Sequence, residues 1–123
     1  DVTHDTNSPM YDKITGGDIS LGDGPAVCYG PAVQNNVLDM IINVAETNKL
    51  PFQRRAASRS TGTDTDAFAY SNEGVASALI SIPLKYMHTT VEMCAKEDLE
   101  KTIQLIYETV CQVKDGQDFR YLK

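Results

Sequence analysis

Val75-Ala76-Ser77-Ala78-Leu79-Ile80-Ser81-Ile82-Pro83-Leu84 is the stretch on which the fold turns. The run is nearly continuous in apolar and small residues, which fits a strand covered on both faces, as in a sheet packed against helices. Directly beyond it, Lys85-Tyr86-Met87-His88-Thr89-Thr90-Val91-Glu92 presents an imidazole and a carboxylate past the strand end. In an open α/β sheet, ligands collect outside the strand ends, so this is a natural place for a metal ligand.

Working outward, Leu99, Ile103, Ile106, Val110 and Val113 advance by four, three, four and three residues. That spacing predicts a long amphipathic helix ending before Gly116. On the other side, residues 60–66 form a loop rich in capping residues, and Thr63 or Asp64 starts a short helix through Ala67, Phe68 and Tyr70. Residues 52–58 alternate as a strand, and Pro51 closes a helix that Asn35 or Asn36 opens. Val37, Leu38, Ile41, Ile42 and Ala45 form the apolar face of that helix, which runs to about Asn48. Short β-like runs are expected at residues 1–4, 18–21 and 26–29, separated by Gly16-Gly17 and Gly22-Asp23-Gly24-Pro25 turns. Strands alternating with helices imply α/β layers around a mixed, largely parallel sheet.

The chain has 123 residues, the size of one domain. Its net charge of −6 argues against nucleic acid, which demands clustered Lys and Arg. Arg54, Arg55 and Arg59 are the only basic group and read as a solvated strand end. No run reaches the roughly 20 apolar residues of a membrane span, and no signal segment opens the sequence. Cys28, Cys94 and Cys111 are odd in number and widely spaced, so neither a disulfide framework nor a cysteine zinc site is signalled. A cytoplasmic home is expected. Cys94 and Cys111 read as buried small apolar residues in or beside a helix.

Asp1, the Asp64 loop and His88 are the candidates for side chains that meet beyond the strand ends. Each alone has an ordinary reading: an exposed terminus, a helix cap, a hydrogen-bonded loop histidine. The residues by themselves leave the function open.

Asp1-Val2-Thr3-His4, Gly22-Asp23-Gly24-Pro25, Leu50-Pro51-Phe52-Gln53, Gly62-Thr63-Asp64 and Ile82-Pro83-Leu84-Lys85-Tyr86-Met87-His88 with Val91-Glu92 follow in fixed order and spacing. In this the chain resembles the di-metal glutamyl aminopeptidase and cellulase-M family, which includes the tetrahedral aminopeptidases. The resemblance runs over essentially all of the sequence but over only the C-terminal third or so of a family member. It implies a layered α/β/α fragment of a zinc-exopeptidase-like catalytic domain, residues 1–123 being its C-terminal part. The N-terminal part and the inserted domain would lie outside the sequence.

The resemblance further implies that Asp1 binds one metal of a pair and His88 the other. Two divalent ions, zinc or cobalt, would together activate a water to release N-terminal residues from a peptide substrate. The family's remaining ligands and its general-base glutamate would lie upstream, so no catalytic residue is expected here. The isolated chain is expected to be inactive and to hold metal weakly or not at all, an ammonium on Asp1 adding repulsion. His4, Asp64 and Glu92 are implied as supporting residues: His4 in a loop hydrogen bond, Asp64 near a peptide's amino end, Glu92 orienting the imidazole or sitting in a helix's first turn. A full-length member would be a homo-oligomer. Two alternatives stand beside this reading. One is a glycan hydrolase, since relatives carry an endoglucanase label, although no pair of flanking carboxylates is indicated. The other is a non-catalytic folding or assembly module with a free sheet edge.

Overall fold

The computed structural model describes residues 1–9 and 11–120. In chain order these form β1 (Val2–His4), α1 (Lys13–Gly16), β2 (Ala26–Tyr29), α2 (Asn35–Thr47), β3 (Gln53–Ala56), α3 (Asp64–Ala69), β4 (Ile80–Lys85), β5 (Met93–Cys94) and α4 (Lys96–Gln112). The sheet order is β1-β4-β2-β3, with β5 also paired to β4. β1 runs parallel to β4 with Val2 opposite Ile82, and β2 runs parallel to β3 with Val27 opposite Arg54. The two parallel pairs meet antiparallel, Ala26 facing Ser81. The sheet is therefore mixed, as expected.

The core lies where α2 and α4 pack on the sheet. Leu38, Ile41, Val44 and Ala45 line one face of α2, and they bury against Val27 with Val33, Leu50 and Leu105. Removing a side chain of this size from water contributes about 1.5–3 kcal/mol. Gln34, rather than Asn35 or Asn36, caps α2: its side chain accepts from Asn36 N–H at 3.0 Å. At the other end the Leu50 N–H returns to the Ala45 carbonyl, and Pro51 blocks any continuation.

A buried carboxylate ties the second helix to the sheet. Asp98, in the first turn of α4 and 0% exposed, accepts from the Gly22 N–H at 2.7 Å and the Gly24 N–H at 2.8 Å. The Gly22-Asp23-Gly24-Pro25 turn thus docks onto a helix start, where negative charge is also favoured by the helix dipole. Gly24 has φ 93° and a Cβ there would stand 2.4 Å from the Pro51 carbonyl oxygen, so no other residue fits.

Four expectations need correction. Residues 18–21 form no strand, because side chains take the ladder's place: the Thr6 hydroxyl accepts from Ile19 N–H and the Gln53 side chain accepts from Ser20 N–H. The apolar run forms a ladder only from Ile80 onward, since β2 pairs with β4 only at residues 80–81. Cys94 and Cys111 are exposed while Cys28 is buried. Cys94 falls on a two-residue strand with both residues exposed, and Cys111 on the solvent side of α4.

The fourth concerns α4. Its buried residues are Asp98, Thr102, Leu105 and Thr109, while Leu99, Ile103, Ile106, Val110 and Val113 are all exposed. The periodicity located the helix, but its apolar stripe is not the face that packs here. Among the described residues, no helix is long and apolar enough to cross a membrane.

Candidate metal centre

Asp1 immediately precedes β1, and its backbone extends the ladder: its nitrogen donates to the Ile80 carbonyl at 3.0 Å, and its own carbonyl accepts from Ile82 N–H. One carboxylate oxygen accepts from Val2 N–H at 2.8 Å; the other has no partner among the described residues. Asp1 borders a cleft of about 580 Å³ that Thr63, Asp64, Thr65, Phe68 and Ile106 also line. Asp1 and Asp64 therefore share one cavity, an acidic pairing open to solvent.

The loop holding Asp64 is shaped by two other side chains. Thr63 caps α3, its hydroxyl accepting from Thr65 N–H. Asp66 reaches back to accept from Thr61 N–H at 3.0 Å and Gly62 N–H at 2.9 Å. The Thr61 bond, aided by the Gly62 bond and opposed by partial desolvation, holds the Asp66 carboxyl below the usual carboxylate range. Thr63-Asp64-Thr65-Asp66 has the Thr-x-x-acid spacing that marks a helix start, and Asp66 uses it to hold the two residues before the cap.

His88 sits in the loop that follows β4. The parallel register sets Asp1 level with Ser81, so the end of β4 at Lys85 lies about 13 Å further along the strand direction. Tyr86 and His88 both have left-handed backbone, φ 55° and 63°. Such conformations cost non-glycine residues on the order of 1–3 kcal/mol each, and they cluster at functional positions. Two contacts stabilise the turn: the His88 N–H donates to Glu92 Oε1, and the Thr89 hydroxyl donates to the Tyr86 carbonyl. Glu92 thus fixes the histidine's backbone, not its ring. Nor does it lie in the first turn of the helix, which starts at Lys96 with Glu97 and Asp98 as its acids. The exposed imidazole has no hydrogen-bond partner among the described residues.

His4 is the last residue of β1, not a loop residue. Its half-buried ring stands 5.0 Å from that of Tyr11, and both line a cavity of about 290 Å³ with Tyr86 and Met87. The structure thus gathers Asp1 with Asp64 at one end of β1, and His4 with the Tyr86–Met87 turn at the other. The cleft beside Asp1 does not include His88, and the cavity at His4 includes neither. Among the described residues no group of three or more His, Cys, Asp or Glu is arranged to hold a metal ion. A catalytic zinc normally takes three protein ligands, so this donor set does not by itself fit a metal, and Asp1 and His88 are single donors.

The fold is a mixed α/β sheet with helices packed on it and single potential donors, Asp1 and His88, beyond its strand ends. The chain belongs to the M42 glutamyl aminopeptidase family, whose profile matches residues 1–105. It is 38% identical over 85 residues to the lysyl aminopeptidase of Pyrococcus furiosus, a match that covers 69% of this chain and 25% of that one. The solved aminopeptidase APDkam598 of Desulfurococcus kamchatkensis superposes with a TM-score of 0.75 at 29% identity, over 89% of this chain and 32% of its own. The TET1 peptidase of Pyrococcus horikoshii, described as assembling into a tetrahedron or a large octahedral shell, matches at TM-score 0.59 and 28% identity, over 77% and 28%. The chain therefore spans about a quarter to a third of the relatives it matches.

Proposed function

We propose that these 123 residues supply the C-terminal part of the catalytic domain of a metal-dependent aminopeptidase. In this reading Asp1 and His88 each give one donor, to different ions of a metal pair. The observation that carries the proposal is the family match over residues 1–105, which includes both donors and every motif between them. A carboxylate and a neutral imidazole are ligand types that hold zinc or cobalt. When bound, such a pair supplies an activated water and a polarised peptide carbonyl.

The chain's own residues have simpler tasks. Glu92 and Thr89 hold the His88 loop, leaving the imidazole nitrogens available. Asp64 adds negative charge beside Asp1, where a peptide's cationic amino end is attracted. The other metal ligands and the general base come from the remainder of the domain. A homo-oligomeric whole protein is supported by the shells of the TET1 relative. The three free thiols fit a reducing, cytoplasmic compartment.

A chimera tests this: the segment of the P. furiosus enzyme that matches this chain is replaced by it. With zinc or cobalt it should cleave aminoacyl p-nitroanilides and leave carboxymethylcellulose intact. His88→Ala should lower kcat/KM by more than about 100-fold, beyond what loss of a residue merely supporting a ligand costs. Full activity in that variant removes His88 from the metal site. Cleavage of the glucan, without release of the chromophore, would favour the glycan-hydrolase alternative.

A further inference from the structure

Past α4 the chain turns back along the molecule. Val113 ends the helix with extended backbone, and residues 114–117 close a turn: the Gln117 N–H donates to the Lys114 carbonyl, the Lys114 N–H donates to Gln117 Oε1, and Gly116 takes φ 73°. Gln117 Nε2 then lies 3.8 Å from Met40 Sδ, and the Phe119 carbonyl accepts from Gln34 Nε2 at 2.6 Å and from Asn36 Nδ2 at 3.1 Å. Met40, Asn36 and Gln34 follow one another toward the start of α2, so residues 113–120 form a strap laid antiparallel to that helix. The strap lies outside residues 1–105, the part matched by the family profile.

Gln34 uses both ends of its carboxamide here. The oxygen accepts from Asn36 N–H and caps α2, while the nitrogen holds the Phe119 carbonyl, so one amide orientation serves helix and strap together. The backbone N–H of Gln34 donates to the Ser77 carbonyl, which fixes the residue to the chain leading into β4. A cavity of about 500 Å³ lies beneath this point: Pro31, Val33, Glu73 and Val75 line it, and Phe119 and Arg120 of the strap form its remaining wall. Of residues 113–120, Phe119 is half-buried and all the others are exposed. Ordering each residue costs conformational entropy, and a segment that buries little apolar surface offsets little of it. Segments of that kind open locally, at a cost well below that of unfolding the core. Leu38, Ile41 and Val44, on the inner face of α2, keep the helix packed when the strap is off.

We propose that residues 113–120 act as a lid on this cavity, latched by the Gln34 carboxamide at the Phe119 carbonyl and opening while the rest of the fold stays intact. Closure and capping are coupled through the one amide: with the strap seated, Gln34 is held in the orientation that caps α2, and with the strap away that restraint is gone. The open state uncovers Val33, which is 4% exposed when the lid is shut. The device is independent of the aminopeptidase reading, since it involves neither Asp1 nor His88.

Two measurements test it. Amide exchange of the unaltered chain, read by NMR in urea below the unfolding transition, should show the Gln117 amide exchanging through an opening that urea leaves unchanged. The Cys28 amide, bonded to the Leu79 carbonyl in the sheet, should exchange through one that urea promotes. The second measurement uses Gln34→Glu, which keeps an oxygen to cap Asn36 N–H and sets a carboxylate against the Phe119 carbonyl. Tryptic cleavage after Lys114 should rise about fivefold in that variant, the factor that one lost hydrogen bond gives. Hydroxyl-radical modification of Phe119 and Val33 should rise with it, while the thermal midpoint moves by less than about 5 °C. A Gln117 amide that exchanges only through the urea-promoted opening would overturn the proposal. So would equal cleavage in parent and variant, or a Val33 footprint that stays the same in both.

Discussion

Asp98, fully buried, answers two backbone donors at once. Asp98→Ala should destabilise the chain by about 2–4 kcal/mol, through two lost charge-assisted bonds and at least one stranded buried N–H. Exposed and unpartnered on the same helix, Gln104→Ala should stay within about 0.5 kcal/mol. Urea unfolding of the two variants checks the contrast. Asp66 makes a pH prediction. Its folded pKa is depressed, so its contribution is complete above the ordinary carboxylate range and is lost as pH falls through the lower folded value. Protection of the Thr61 and Gly62 amides, measured relative to their intrinsic exchange rates, should fall on acidification, and in Asp66→Asn that fall should disappear. The thiols should also divide. Burial raises the pKa of Cys28 despite Arg55 nearby, whereas Cys94 and Cys111 are exposed. Iodoacetamide at mildly alkaline pH should label the latter two quickly and Cys28 slowly, as read by peptide mass spectrometry.

At the scale of elements, the order of strands and helices was legible because local signals agreed. Thr63 caps α3, Pro51 closes off α2, and the four-three spacing of residues 99–113 marks α4. Thr63→Ala should cost about 1 kcal/mol in the same assay. What stayed hidden were features set by tertiary partners. Residues 18–21 have strand-like composition, but Thr6 and Gln53 side chains occupy their backbone groups. The α4 spacing says that a face is apolar, not that anything within these residues covers it. Two-residue β5 carries no pattern at all. The candidate donors were legible as residue types, yet the roughly 13 Å from the Asp1 level to the end of β4 follows only from the register. Composition does not foretell the left-handed turn at Tyr86 and His88, since a bulky tyrosine is unusual in that conformation.

For the whole molecule, a closed core lies beside a face that leaves large apolar side chains exposed. α2, α4 and β2 enclose that core, the Asp98 clamp is satisfied, and Leu99, Ile103 and Val110 of α4 remain exposed. Among the described residues no group of three or more potential metal ligands gathers at Asp1 or at His88. The most direct measurement is bound zinc, by elemental analysis after dialysis, in the chimera and in its Asp1→Asn and His88→Ala variants. The account predicts two equivalents in the parent chimera and a loss in each variant. Two equivalents retained by both variants would contradict it.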